Sequence, residues 1–209
     1  MNMQKPLDPK LQKVYSNPEN KRQLFDDWAS TYDHDLINDL GYVGPQVASK
    51  KLMDLIPDKQ STILDIGCGT GLVARHLAEA GYSHIDGNDF STEMLAKADE
   101  CKIYNSLQQH DITTPLDSIG KYDVSISVGV FGFSPSSAEH LMNVINCNKK
   151  GGPAIVTING KAWQEKDWVG QLQRFKQDHP EINIESVEPI DYLTGQGIDA
   201  RLLVLRHTA

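Results

Sequence analysis

The chain has 209 residues, of which 39% are hydrophobic and 23% charged, and its formal net charge is -8 at pH 7. These values are typical of one soluble globular domain and exclude a low-complexity or fibrous protein. No basic run is present, so nucleic acid is not an expected partner, and a small or uncharged substrate is favoured.

Cysteine usage and hydropathy indicate the cellular compartment of the protein. The three cysteines, Cys68, Cys101 and Cys147, form no C-x-x-C pair, which predicts free thiols in a reducing environment. Residues 1–13 are polar, and no apolar run approaches the roughly 20 residues of a membrane span. We therefore expect a cytoplasmic protein that has no membrane partner. The sequence does not indicate its oligomeric state.

The N-terminal quarter is predicted to be helical. A short helix is expected within the first 20 residues, a longer one over residues 22–40 and a third over about 45–55. The longer helix carries an apolar and aromatic stripe on one face: Leu24, Phe25, Trp28, Tyr32 and Leu36. From its spacing alone, this stripe is either simple packing against the domain or the inner face of a lid.

From residue 61 onward, strand and helix patterns alternate. Strands are predicted at 61–66, 84–89, 102–109, 122–128 and 154–158. Helices are predicted at 71–80, after Ser91, at 134–146 and at 162–177. Two last strands, at 182–187 and 200–206, have no helix between them and should pair antiparallel at one edge. The pattern predicts an α/β fold with a Rossmann-like, doubly wound, mostly parallel seven-stranded sheet, in a single domain over residues 1–209.

A glycine turn follows the first strand. Gly67, Gly69 and Gly71 let the backbone approach a ligand, and the helix behind them directs free N–H groups to the same place. Asp65, two positions before the first glycine, favours a ligand with an ammonium head over a bare diphosphate. This G-x-G-x-G spacing alone does not separate NAD from S-adenosylmethionine.

Two further carboxylates follow the next strands. Asp89 lies 18 residues after Gly71, at the predicted end of strand two, where a carboxylate can accept two hydrogen bonds from a ribose diol. Asp111 ends strand three and can accept from an adenine amino group. The three carboxylates are predicted to meet at one edge of the sheet.

These motifs, in this order, resemble those of the class I S-adenosylmethionine-dependent methyltransferases over residues 22–160. The matching phrases are Leu-Asp-Ile-Gly-Cys-Gly-Thr-Gly-Leu, Asn-Asp-Phe-Ser-Thr-Glu-Met-Leu and His-Asp-Ile. The resemblance implies a methyltransferase that binds S-adenosylmethionine and releases S-adenosylhomocysteine. It implies the following cofactor-binding residues: Trp28, Tyr32, Asp65, Gly67, Cys68, Gly69, Gly71, Asp89, Phe90, Met94, Asp111, Ile112 and Val128.

The N-terminal segment adds a finer resemblance. Residues 25–33 and 41–45 are similar to the lid of small-molecule methyltransferases, and most similar to the methyltransferase-like proteins named for the Williams–Beuren syndrome region. The resemblance favours the lid interpretation of the aromatic stripe. It implies a lid over residues 1–56 on a core of residues 57–209, with a small-molecule acceptor and no metal. An acceptor pocket lined by Tyr42, Phe131 and Phe133 is expected.

The catalytic residues and the acceptor atom remain unassigned by the sequence. A general base is needed only if the nucleophile must lose a proton early, and the candidates by position are Asp33, His34 and His140. Histidines that many family members carry after strand four are replaced here by Val130-Phe131-Gly132-Phe133. Two alternatives therefore stay open: a catalytically silent protein that binds the cofactor or its product, and an NAD-dependent oxidoreductase.

Overall fold

Seven strands form one sheet in a computed structural model that describes residues 6–16, 20–116, 121–132 and 136–208. In chain order the strands are β1 Ile63–Ile66, β2 Ile85–Asp89, β3 Ser106–Gln109, β4 Val124–Phe131, β5 Ala154–Asn159, β6 Ile182–Leu193 and β7 Ile198–His207. Their spatial order is β3-β2-β1-β4-β5-β7-β6. The strands β1 to β5 are parallel, whereas β7 is antiparallel to both β5 and β6. The predicted fold class is thus confirmed.

The order of the strands positions the ligand site. The first strand, β1, has β2 on one side and β4 on the other, so the chain reverses its direction of winding at β1. Loops on the carboxyl ends of these strands leave in opposite directions at such a point and open a crevice. The glycine turn after β1 lies in this crevice.

Helices cover both faces of the sheet. In the described ranges they are α1 Pro9–Ser16, α2 Lys21–Trp28, α3 Tyr32–His34, α4 Gly44–Leu55, α5 Leu72–Glu79, α6 Thr92–Glu100, α7 Leu141–Ile145, α8 Gly160–Glu165 and α9 Trp168–Asp178. Alternate residues of the strands pack into two apolar cores, one on each face of the sheet. Ile63 and Ile126 belong to one core, and Leu64 and Val156 belong to the other. None of these helices is long and apolar enough to span a membrane.

The prediction of one continuous helix over residues 22–40 is wrong. A turn over residues 29–31 separates α2 from α3, and a π-helical segment follows at Asp35–Asp39. The carboxylate of Asp35 accepts hydrogen bonds from Trp28 Nε1 at 2.6 Å and Thr31 Oγ1 at 2.8 Å, and it also pairs with Lys10. These side-chain bonds stabilise a local turn in competition with the helix.

Other boundaries also differ from the prediction: β3 begins at Ser106, and the helix expected over 134–146 is a 3₁₀ turn at Ala138–His140 followed by α7. The helix expected over 162–177 is divided at Asp167, which adopts φ 48° and caps α9 by accepting from the amide of Gly170. The final hairpin is longer than expected, because β6 continues to Leu193 and includes Pro189. Proline is tolerated there because β6 is an edge strand, where an absent N–H breaks no ladder on the open side.

Packing of α4 against the sheet provides a test of the core. Leu52 is fully buried in the same core as Ile63 and Ile126. We expect Leu52→Ala to lower the free energy of unfolding by about 2–5 kcal/mol, because it leaves a cavity that the neighbours fill only partly. Urea unfolding measures this change. The control is Val169→Ala on α9, which is 51% exposed and should shift stability by less than about 0.5 kcal/mol.

Candidate active site

The turn after β1 depends on its glycines. Gly67, Gly69 and Gly71 have φ values of 68°, 55° and 92°, in the left-handed region. A Cβ on Gly67 would lie 2.1 Å from Val130 Cγ2, so no larger residue fits there. A Cβ on Gly69 would meet no heavy atom within 4 Å, because the backbone at Gly69 faces open space. The turn thus presents bare backbone to a cavity.

Asp65 lies beneath this turn and is 1% exposed. Its Oδ2 accepts a hydrogen bond from the hydroxyl of Tyr104 at 2.7 Å, whereas its buried Oδ1 has no partner among the described residues. The pKa of Asp65 is raised to about 7: burial is the main cause, the hydrogen bond from Tyr104 opposes the rise, and the nearby Asp89 adds to it. A cationic ligand group would compensate this carboxylate.

Asp89, at the end of β2, connects the two turns that border the crevice. Its carboxylate accepts from the amide of Gly69 at 2.9 Å and from the amide of Ser91 at 2.9 Å. Burial raises the pKa of Asp89 to about 6, although these amide bonds favour the ionised form. Each carboxylate oxygen has a second lone pair, so Asp89 retains the capacity to accept from a diol.

A cavity of about 580 Å³ opens above the glycine turn. It is lined by most of the residues predicted from the sequence: Trp28, Tyr32, Tyr42, Gly67, Gly69, Asp89, Phe90, Met94, Asp111, Ile112, Val128 and Phe131. Three predicted residues do not line it, because Asp65, Cys68 and Gly71 are buried behind the turn. Phe133 lies outside the described residues.

The sequence reasoning missed several lining residues. These are Leu11, Val14, Tyr15, Lys21, Arg22, Phe25, Leu36, Asn88, His110, Gly129, Val130, Ser136, Asn159, Tyr192 and Leu193. Asn159 ends β5, so its position at a carboxyl strand end was an available signal. No sequence signal marked Tyr192, because it reaches the cavity from β6 at the far side of the sheet.

Aromatic side chains form the roof of the cavity. Phe25 contacts Phe90 edge-on, with ring centroids 5.8 Å apart, and Trp28 contacts Tyr32 at 4.9 Å. Phe90 follows β2, whereas the other three residues belong to α2 and α3. The N-terminal helices therefore pack directly on the loop that carries Asp89.

Two carboxylates of the N-terminal helices, Asp26 and Asp33, bond to residues of the core. Asp26 accepts a hydrogen bond from the hydroxyl of Ser91, the N-cap of α6, at 2.5 Å. Asp33 accepts from the hydroxyl of Thr70 and forms a 2.7 Å ion pair with Arg75 Nη1. These contacts connect the N-terminal helices to the glycine turn, to α5 and to the N-terminus of α6.

The three candidate general bases do not line the cavity in the part of the chain that the structure describes. Asp33 is held by Thr70 and Arg75, and the His34 side chain is 70% exposed. The Nδ1 atom of His140 accepts from the amide of Ser137 at 3.0 Å and closes its own turn. None of the three belongs to the described lining of the cavity.

The comparisons with known proteins agree with this geometry. Residues 63–152 match a family model described as a methyltransferase domain. The fold is that of magnesium protoporphyrin IX methyltransferase from Synechocystis, solved with bound S-adenosylmethionine (TM-score 0.64, 20% identity, 97% of this chain and 99% of that one). The chain therefore has the Rossmann-like fold of known S-adenosylmethionine-dependent methyltransferases, and residues 63–152 resemble a methyltransferase domain.

Two relatives are similar in sequence. Human methyltransferase-like protein 27 is 34% identical over 143 residues, which cover 66% of this chain and 57% of the relative. Phosphoethanolamine N-methyltransferase 2 of Caenorhabditis elegans is 29% identical over 144 residues, covering 64% of this chain and 32% of the relative. The chain thus spans less than two thirds of the length of either relative.

The contact between Asp33 and Arg75 should hold the lid closed. We expect Asp33→Ala to increase amide hydrogen exchange in α2 and α3 several-fold, because the partly exposed ion pair and the Thr70 bond are lost. Global stability should change by less than about 1 kcal/mol. The control is Asp27→Ala, which removes only a bond to Gln23 within α2. Equal amide hydrogen exchange in the two variants would show that the contacts of Asp33 do not hold α2 and α3 in place.

Proposed function

We propose that this protein is an S-adenosylmethionine-dependent methyltransferase that acts on a small molecule. One observation carries the proposal: an uncompensated buried carboxylate, Asp65, lies directly beneath a glycine turn that opens onto a cavity bordered by Asp89. A cavity of about 580 Å³ lies within the 300–1,000 Å³ range of small-ligand pockets. The same residues suit a ligand with an ammonium head, a ribose and an adenine.

Each part of the cofactor is assigned to residues of this chain. Asp65 compensates the ammonium group through the glycine turn, Asp89 accepts from the ribose hydroxyls, and Asp111 accepts from the adenine amino group. Phe90, Met94 and Ile112 pack against the adenine ring. The remaining assigned contacts are the turn residues Gly67, Cys68, Gly69 and Gly71, with Val128, Trp28 and Tyr32.

The residues of the protein do little covalent chemistry in this proposal. S-adenosylmethionine supplies a methyl group that is already activated by its sulfonium charge. The lid and the turns orient the two reactants and exclude water, which together can contribute the larger share of the acceleration. The closed roof formed by Phe25, Trp28 and Tyr32 supports this role.

The organisation of the chain follows from the same proposal. Residues 1–56 act as the lid on a core of residues 57–209, in one domain. The 34% identity with methyltransferase-like protein 27 supports placement near that subfamily. We also propose a cytoplasmic location, with neither nucleic acid nor a membrane as partner, from the acidic composition and the three free cysteines.

A second candidate is a protein that binds the cofactor or its demethylated product without catalysis. It is favoured by the positions of Asp33, His34 and His140, which leave the described cavity lining without these three candidate bases. Transfer of labelled methyl to any compound in a metabolite extract would exclude this second candidate.

Calorimetric titration tests the proposed cofactor. We expect S-adenosylmethionine and S-adenosylhomocysteine to bind, and NAD not to bind measurably. Asp89→Ala should weaken binding at least 10-fold, because a charge-assisted hydrogen bond is lost. Asp99→Ala, on the exposed face of α6 where Asp99 pairs with Lys102, is the control and should bind normally. Tight binding of NAD with no binding of S-adenosylmethionine would exclude the proposal.

The raised pKa values of Asp65 and Asp89 predict the pH dependence of binding. The cofactor requires both carboxylates ionised, so protons compete with it below pKa values of about 7 and about 6. The affinity for S-adenosylhomocysteine should be constant near pH 8, fall about 10-fold per pH unit below about pH 7, and fall more steeply below about pH 6.

The variant Asp65→Asn separates the contributions of Asp65 and Asp89 to the pH dependence of binding. It should bind more weakly at pH 8 and should lose the decline between pH 7 and pH 6, while the decline below pH 6 remains. Titration calorimetry in buffers of different ionisation enthalpy also counts the protons released on binding. An unchanged pH profile in this variant would show that Asp65 does not couple to the cofactor.

A further inference from the structure

One end of the cavity is a cluster of hydrogen-bonding side chains that the cofactor contacts leave unused. We call this end of the cavity the acceptor chamber. Its four polar members are Tyr15, Tyr42, Asn159 and Tyr192. The hydroxyls of Tyr42 and Tyr192 lie 3.3 Å apart, and Asn159 Nδ2 donates to the hydroxyl of Tyr15 at 3.0 Å. Asn159 ends β5 and Tyr192 lies on β6, away from the ends of β2 and β3 where Asp89 and Asp111 lie.

The phenols of this chamber donate hydrogen bonds and do not accept protons from a substrate. Burial raises the pKa of Tyr42 and of Tyr192 above the ordinary value of a phenol, and their neighbouring phenols raise the pKa of Tyr42 further. Burial raises the pKa of Tyr15 in the same way. These groups therefore stay protonated at neutral pH and cannot serve as general bases.

Charged side chains of both signs line the cavity. Its carboxylates in the described lining are Asp89 and Asp111, which are assigned to the cofactor. The first turn of α2 contributes two cations, the half-buried Lys21 and the exposed Arg22. Burial lowers the pKa of Lys21 to about 8, and a bound anion would offset that cost. The imidazole of His110 is directed to the carbonyl of Thr114, at 3.0 Å from Nε2.

We propose that the methyl acceptor is a small carboxylic acid, bound as its carboxylate, and that the product is its methyl ester. This inference rests on the proposed function. A carboxylate is ionised at neutral pH, so it needs no general base, and its oxygens accept from the chamber phenols. Leu11, Val14, Leu36 and Leu193 supply an apolar wall for the body of the acid.

The reaction balances without a proton. A carboxylate oxygen attacks the methyl carbon, the new O–CH₃ bond forms as the S–CH₃ bond breaks, and the bonding electron pair stays on sulfur. The negative charge of the acid and the positive charge of the sulfonium cancel. A phenol or an ammonium acceptor would instead have to lose a proton, and none of the four polar members of the chamber accepts a proton at neutral pH.

The alkali lability of the methylated product tests directly whether the acceptor is a carboxylic acid. The protein is incubated with methyl-labelled S-adenosylmethionine and three matched acceptors, 3-phenylpropanoate, 4-propylphenol and 3-phenylpropylamine, and with a metabolite extract. Methyl esters release volatile labelled methanol in alkali, whereas methyl ethers and methylamines do not. We expect alkali-labile product from the acid and from the extract. Alkali-stable product alone, or no product from any acceptor, would overturn the carboxylate proposal.

Variants of the chamber provide a readout that is independent of turnover. Binding of 3-phenylpropanoate is measured by calorimetry on protein saturated with S-adenosylhomocysteine, which cannot transfer a methyl group. Tyr42→Phe and Tyr192→Phe should each weaken acid binding about 10- to 100-fold, because a hydrogen bond to a charged group is lost. Tyr122→Phe, whose hydroxyl bonds Asp86 away from the cavity, is the control. Equal acid affinity in all three variants would overturn the proposal.

These experiments distinguish failure of the carboxylate proposal from failure of the proposed function. If S-adenosylhomocysteine binds but the labelled product is stable to alkali, the methyltransferase proposal stands and the carboxylate class is wrong. If neither S-adenosylmethionine nor S-adenosylhomocysteine binds, the proposed function itself is wrong.

Discussion

The buried carboxylate of Asp65 is the constraint on which the site depends. An unpaired charge in the interior costs several kcal/mol, so a carboxylate with one unbonded oxygen persists only where the surroundings fix it and a function uses it. Tyr104 fixes it: the ring fills the space beside Gly71 and Gly87, and its hydroxyl bonds Oδ2. The glycine turn, the ring and the carboxylate therefore form one unit, in which no member can enlarge without displacing another.

The N-terminal helices extend this unit into a cavity. Asp26 bonds the N-cap of α6, and Asp33 bonds Thr70 and Arg75 beside the glycine turn, so the roof is fastened to the loops that form the floor. Each of these contacts is a hydrogen bond or a partly exposed ion pair, and such contacts are individually weak.

The fold could be read from the sequence because its signals are local. Period-two and period-3.6 patterns and the glycine turn are properties of neighbouring residues, and they predicted the sheet and placed Asp89 and Asp111 at one edge. The turn after Trp28 could not be predicted in this way. It depends on side-chain bonds to Asp35, one of them from Lys10 on a separate helix. Tyr192 was also missed, because only the pairing of β6 with β7 brings it to the cavity.

The two ends of the cavity come from different parts of the chain. The segment that matches the methyltransferase model, residues 63–152, contains Asp65, Asp89 and Asp111. The four polar members of the acceptor chamber all lie outside it, in α1, just before α4, at the end of β5 and on β6. Under the proposed assignment, mutation in the flanking segments can remodel acceptor recognition while the segment that carries the three carboxylates is inherited unchanged, so the two ends of one cavity are free to evolve at different rates.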